Sequence, residues 1–265
     1  MINLSIQYFR LPDISYRVWK IWFRNRDVFL KTAKVNFIPP FLEPILYLLA
    51  LGFGLGLFVG EINGIPYPIF IAPALISISM MNTAFFECTF ASFVRMYYQK
   101  TFDAIISTPI NLDEVIFGEI LWGSTKSVIN ASIILFVISI FQLAKFPQSL
   151  FIIPFSFLVG LVFSSIAMCF TAIVPTIENF NYPTFLFITP MFLFSGTFFP
   201  LSVIPELMQY ISFILFPLTH AVYVTRSFTT GMIGTGILFS IIWLALVGVF
   251  LTILSINLMK KRLVF

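Results

Sequence analysis

The sequence predicts an all-α membrane protein, with six transmembrane helices preceded by an amphipathic interfacial helix and a re-entrant helical hairpin between spans 5 and 6. Three observations carry this. The chain is 59% hydrophobic and 10% charged, with a mean hydropathy of +1.01, whereas a soluble domain carries about 25% charged residues. Six apolar runs, at 38–60, 68–94, 127–144, 149–174, 180–201 and 234–258, are each near the ~20 residues that a helix needs to cross a bilayer core. Positive charge is also one-sided. With the spans alternating, Arg10, Arg17, Lys20, Arg24, Arg26, Lys31, Lys34, Arg95, Lys100, Lys126, Lys260, Lys261 and Arg262 fall on the side of both termini, and only Lys145 and Arg226 fall opposite. The positive-inside rule puts the richer face, and both ends, in the cytoplasm.

Residues 1–36 read as a cytoplasmic N-terminal segment and 37–265 as one membrane domain. The first 36 residues are polar, basic and aromatic, unlike a secretory signal with its apolar core, so the N-terminus is expected to stay inside. Within Asp13–Lys34, Ile14, Val18, Ile21, Trp22, Val28 and Phe29 share one helical face, with Arg17, Lys20, Arg24, Asp27 and Lys31 on the other. Such a basic amphipathic helix is expected to lie flat against anionic headgroups, so membrane lipids are one expected partner. The competing reading is a solvated helix packed on a partner protein. Residues Asn36–Pro40 are expected to turn the chain, because prolines interrupt helix interiors.

After span 2, the connection from Tyr97 to Ser127 predicts a short helix ending before Pro109. A second helix follows, capped by Asn111 with Glu114 three residues on, and climbs into span 3. The stretch Ser202–Gly231 is too apolar for a solvated loop, yet Pro205 to Pro217 is too short to cross. It is expected to dip in and return, as a plug at the outer end of a pathway.

The chemistry of the chain is sparse. Gly118 and Gly123 have the spacing of a phosphate-binding loop, but Ser124 stands where that loop needs lysine. The single histidine, His220, reads as a local hydrogen-bonding residue, and Cys88 and Cys169 as small core residues rather than a disulfide. No metal site is expected. Glu87 is the most informative charge, because a carboxylate at mid-span costs about 2.5–3.5 kcal/mol on insertion scales. It must be neutral, paired, or facing a wet cavity. Glu43 reads as an interface residue at the start of span 1. Glu119 and Lys126, seven residues apart on one helical face, mark the foot of span 3.

Several of these motifs together resemble a known family. They are Phe86-Glu87-Cys88-Thr89, Arg95-Met96, Thr101-Phe102-Asp103-Ala104-Ile105 with Thr108-Pro109, Gly118-Glu119-Ile120-Leu121-Trp122-Gly123, and Phe194-Ser195-Gly196-Thr197-Phe198-Phe199-Pro200 with Pro205 and Pro217. The pattern resembles the membrane subunits of ABC-2 type exporters, and among them the nodulation-factor (lipo-oligosaccharide) export permeases.

The resemblance implies a homodimeric permease of the bacterial inner membrane, driven by two copies of a separate ATPase. ATP and Mg are then expected on that partner, with no cofactor on this chain and no nucleic acid partner. It implies a coupling helix at Lys100, Thr101, Phe102, Asp103, Ala104, Ile105, Ile106, Ser107 and Thr108, supported by Arg95, Pro109 and Glu119, with Arg95 and Asp103 orienting it. It implies a re-entrant hairpin marked by Pro200, Pro205 and Pro217, and leaves Glu87 as a candidate pathway residue. The cargo it suggests is an amphiphile such as a lipid-linked saccharide, with drug-like molecules as the competing class.

Three other readings compete. A proton-coupled secondary transporter would use Glu87 as its proton site. A membrane transferase would hold a divalent metal on Asp113 and Glu114. A scaffold would transport nothing.

Overall fold

The computed structural model describes residues 10–62 and 64–264, so the start of the N-terminal segment at residues 1–9, Asn63 and Phe265 lie outside the described residues. The described chain is nearly all helical. Among the described residues, five helical stretches are long and apolar enough to cross a membrane: Pro40–Val59, Tyr67–Tyr98, Leu112–Ile140, Gln148–Ile173 and Gly236–Leu263. The described residues give a sixth when the pair Glu206–Leu215 and Pro217–Thr230, bent by 90°, is taken as one span.

The chain begins with α1 (Val18–Lys31), turns at Thr32, and continues as α2 (Ala33–Tyr47), a π-helical stretch Leu48–Leu55 and α3 (Gly56–Val59). The turn expected over Asn36–Pro40 is therefore absent. Proline costs a helix one hydrogen bond and a clash with the i−4 carbonyl, a cost that membrane helices tolerate through local adjustment and neighbouring groups, and the helix runs on through Pro39, Pro40 and Pro44. A two-residue antiparallel pairing of β1 (Glu61–Ile62) and β2 (Ile65–Pro66) leads into α4 (Tyr67–Phe86), which Pro68 starts well because the first-turn N–H groups have no intrahelical partner.

Next come α5 (Thr101–Ile106), α6 (Leu112–Ile140), α7 (Ile152–Ile173), α8 (Asn181–Pro183), α9 (Thr189–Phe194), α10 (Glu206–Leu215), α11 (Pro217–Thr230) and α12 (Gly236–Val264). Two expected spans differ from those seen. Span 3 starts at Leu112 rather than at 127, because the cap at Asn111 begins one unbroken helix. The run at 180–201 is helical only to Phe194 and is broken by a π-helical stretch at Thr184–Ile188. Its α8-to-α9 portion, residues 181–194, is about 21 Å long at 1.5 Å per residue, short of a full crossing.

The core is built from α4, α6 and α7, around Phe85, Phe163, Ile116, Met80 and Met81, all fully buried. Close approach between them depends on small residues. A Cβ on Gly160 of α7 would lie 2.8 Å from the Ser124 Cα of α6, and a Cβ on Gly118 would lie 2.6 Å from the Ile21 Cβ of α1. The glycines with phosphate-loop spacing thus serve helix packing. The peripheral spans are different: 17% of Pro40–Val59 and 28% of Gly236–Leu263 is buried, against 67% of Tyr67–Tyr98. Leu57, Phe58, Leu246, Val249 and Phe250 point outward, as lipid-facing helices require.

Candidate functional site

Helix α1 does not simply lie on a surface. Val18, Ile21, Asn25 and Phe29, spaced three to four residues apart, are buried against α6, while Ile14 and Val28 are exposed. Trp22 donates its indole N–H to Thr125 Oγ1 at 2.9 Å, and both Trp22 and Phe29 meet Trp122 edge-on. Trp19 and Phe23 stay exposed on the opposite side.

Asn25 reaches the center of the site. Its Nδ2 donates to Glu119 Oε1 at 2.9 Å, and Glu119 Oε2 accepts from Ser92 Oγ at 2.7 Å and from the Arg95 guanidinium. Arg95 Nη2 also pairs with Glu87 Oε1 at 2.9 Å, and Lys126 Nζ holds Glu87 Oε2 at 2.8 Å. Two carboxylates and two cations thus alternate in one buried cluster across α4, its extension and α6. Buried charges survive only when paired in this way.

The backbone makes the alternation possible. Glu87 and Arg95 are eight residues apart, which on a regular α-helix places them about 80° apart. Here π-helical stretches at Glu87–Ala91 and Val94–Tyr98 under-wind the helix, and both side chains face α6. Such bulges recur at functional positions.

The chain then leaves the cluster through Lys100, whose φ of 52° puts it in the left-handed region, and enters α5. Phe102 is buried and anchors the helix, and Ile105 is half-buried against the core. Asp103, Ala104, Ile106, Ser107, Thr108 and Pro109 are exposed. Arg95 and Asp103 are not brought together: Arg95 is committed to the cluster, and Asp103 lies 3.9 Å from Lys100. Arg24 of α1, whose pKa burial lowers and the Glu119 carboxylate raises in part, reaches Thr101 Oγ1 at 3.5 Å.

The end of this connection is fixed by a reciprocal cap. Asn111 Oδ1 accepts from Glu114 N at 2.9 Å, and Glu114 Oε2 accepts from Asn111 N at 2.9 Å. The same side chains bind a strap formed by residues 10–17. Asp13 N donates to Asp113 Oδ2, Ser15 donates to Glu114 Oε1, Asn111 Nδ2 donates to Asp13 O, and Arg17 donates to Pro109 O. Arg10 exchanges backbone hydrogen bonds with the Asn257 amide of α12, and Lys260 pairs with Asp113 at 2.6 Å. The carboxylates at which a metal was considered, Asp113 and Glu114, are engaged as cap, strap anchor and ion-pair partner.

On the other half of the molecule, Pro200 precedes a short 3₁₀ turn, Pro205 caps α10, and Pro217 opens α11, with the bend at Phe216. His220 is buried, bonded to Phe213 O at 2.8 Å and to Ser240 Oγ at 3.1 Å, and stacked on Trp243. Both cysteines are free. A shallow groove runs between α2, α4, α6 and α9, lined among others by Pro40, Glu43, Leu75, Ile78, Phe192 and Phe198.

A family model described as ABC-2 type transporter matches residues 16–230, a range that holds the strap's end, the cluster, α5 and the bent pair. The chain belongs to the ABC-2 type transporter family. This ABC-2 permease is 34% identical over 253 residues to Nodulation protein J of Sinorhizobium fredii (strain NBRC 101917 / NGR234), covering 96% of each chain. It is 35% identical over 216 residues to Nodulation protein J of Bradyrhizobium diazoefficiens, covering 82% of each. It is 23% identical over 215 residues to the Inner membrane transport permease YadH of Escherichia coli (strain K12), covering 81% of this chain and 82% of that one.

Sequence reasoning about this ABC-2 permease missed three things. It did not join Lys126 to Glu87, because it placed Lys126 at the foot of span 3 and Glu87 at mid-span, whereas the helix from Leu112 carries Lys126 beside Glu87. It did not see Asn25 as a ligand of Glu119. The strap of residues 10–17 carries no sequence signal, since its bonds go largely through main-chain groups.

Proposed function

We propose that this chain is the membrane-spanning subunit of an ATP-driven exporter. Two copies would form the permease, with residues 37–265 as its transmembrane domain, and two copies of a separate ATPase chain would bind ATP and Mg. The chain would sit in a bacterial inner membrane with both termini cytoplasmic. The observation that carries this reading is α5. It is a short helix held at its base by Phe102 and by the flanking cluster and cap, and it presents Ile106 with Asp103, Ala104 and Ser107 outward on the positively charged side. An exposed apolar side chain on a braced polar helix suits docking into a groove of another protein. Closure of the ATPase pair would push α5, and the ion cluster would pass that push to α1, α4 and α6 as one body.

The cargo is an amphiphile, such as a lipid-linked saccharide, a lipo-oligosaccharide or a drug-like molecule. The relatives' name Nodulation protein J and the apolar groove with Glu43 support this class. The bent pair α10–α11 would enter the membrane from outside and return, closing the outer end. A proton-coupled carrier through Glu87 has less support, because that carboxylate is held by Arg95 and Lys126 together.

The test is purification of the tagged chain in mild detergent from its native membrane, with mass spectrometry and an ATPase assay. A stoichiometric Walker-motif protein is expected, and Ile106→Asp should lower its recovery while leaving the permease in the membrane. A permease that comes alone under conditions that keep known complexes intact overturns the reading.

A further inference from the structure

Of the two cations on the outer side, Lys145 is exposed beside the C-terminal end of α11, where Gly231 turns the chain, and a helix C-terminus suits a cation. Arg226, within α11, has no such explanation. Its Nε and Nη2 donate to Phe70 O at 3.3 Å each, and Nη2 donates to Gly196 O at 2.9 Å. The guanidinium lies over the Phe70 ring, 3.9 Å from its centroid. Among the described residues no carboxylate lies within ion-pair distance, and Nη1 has no partner, so two of the five N–H donors are unused.

Phe70 lies in the first turn of α4, and the contacts of Arg226 there and at Gly196 are to neutral main-chain oxygens, so among the described residues the charge has no counter-ion. The hydroxyl of Ser195, the residue before Gly196, is buried and has no partner. A buried donor without an acceptor costs about 1–3 kcal/mol.

We propose that Arg226 is the center of an oxyanion-binding site at the outer end of the molecule, beside the turn after α9 that carries the unpartnered Ser195 hydroxyl. It takes one phosphate, sulfate or carboxylate group through the free Nη1 edge. The group comes from the headgroup of an anionic lipid or from the acidic part of the molecule being moved. The assignment of the site to the outer face rests on the exporter reading. Binding needs no ATPase, so the two stand or fall by different measurements.

The full-length chain in phosphatidylcholine nanodiscs is the material for the test. One arm measures thermal unfolding in sodium sulfate against sodium chloride at matched ionic strength. The other adds phosphatidylglycerol and counts retained anionic lipid by native mass spectrometry. Sulfate stabilisation of the wild type, lost in Arg226→Gln, assigns a soluble acidic group. Phosphatidylglycerol retention lost in Arg226→Gln, without a sulfate effect, assigns the lipid headgroup. Arg226→Lys keeps the charge without the planar fork and should weaken either effect about tenfold, and it serves if Arg226→Gln does not fold. A wild type with neither effect, or a folded variant that keeps both unchanged, overturns the proposal and leaves Arg226 as a staple between helices.

Discussion

The end of the bundle that carries α5 and the end that carries Arg226 treat charge in opposite ways. At the first, Glu87, Arg95, Glu119 and Lys126 satisfy one another, and Asp113 has Lys260. At the second, one guanidinium rests on two main-chain carbonyls and a phenyl face. A closed network resists change, because removing one member strands another in a medium that solvates it poorly. An open site leaves capacity for something not in the chain. The comparison teaches where this fold is braced and where it is receptive.

The largest effect should come from opening the closed network. Glu119→Ala leaves Arg95 with Glu87 as its one carboxylate, removes the partner of Asn25 and Ser92, and is expected to lower stability by about 3–5 kcal/mol, read as a drop in the unfolding temperature of detergent-solubilised protein. Glu87→Ala strands Lys126 and should cost nearly as much. The double change Glu87→Leu with Lys126→Met should recover most of that loss, since replacing both partners of a buried pair is often close to neutral. A double variant as unstable as the sum of the two singles would show that the pair is not the unit described here.

At the open end, Arg226→Ala should cost about 1–3 kcal/mol, because its two carbonyl acceptors are main-chain groups with other partners available. A loss larger than that of Glu119→Ala would reverse the comparison. Asn111→Ala should cost about 1 kcal/mol through the lost cap, and should also speed hydrogen exchange in residues 10–17, which that side chain helps to hold. The smallest stability effect is expected for Lys100→Ala. Its partner Asp103 is 3.9 Å away and both are exposed, so the change should stay within about 1 kcal/mol. Its effect should instead appear in recovery of the ATPase partner. Unchanged recovery for Lys100→Ala and Ile106→Asp alike would remove α5 from the docking surface.

Much of the fold was legible because its signals are local. The cap at Asn111 and Glu114 needs residues at fixed spacing, and the structure shows both of its hydrogen bonds. The short helix before Pro109 followed from the same logic. The turn expected at Asn36–Pro40 was misread because a rule learned from helices in water was applied to a helix entering a membrane, where the groups that proline frees are re-satisfied locally and prolines are tolerated. The run at 180–201 differs from the structure because hydropathy records how apolar a stretch is and not where its helix ends, which here is Phe194. The interfacial helix was placed by its amphipathic pattern, but the stripe that docks it includes a polar residue, Asn25, which a hydrophobic pattern leaves out.

The sequence by itself determined the environment: composition, run lengths and one-sided lysine and arginine require a membrane bundle with its basic face to one side, since each depends only on transfer of side chains between water and lipid. It also set the cap at Asn111, whose partner Glu114 lies three residues away. Only the tertiary structure decided which charges meet. Glu87 and Lys126 are 39 residues apart in the chain, and Asn25 and Glu119 are 94 apart. Their pairing depends on π-helical under-winding of one helix and on glycine-permitted contact between others, properties of packed helices that no local pattern contains.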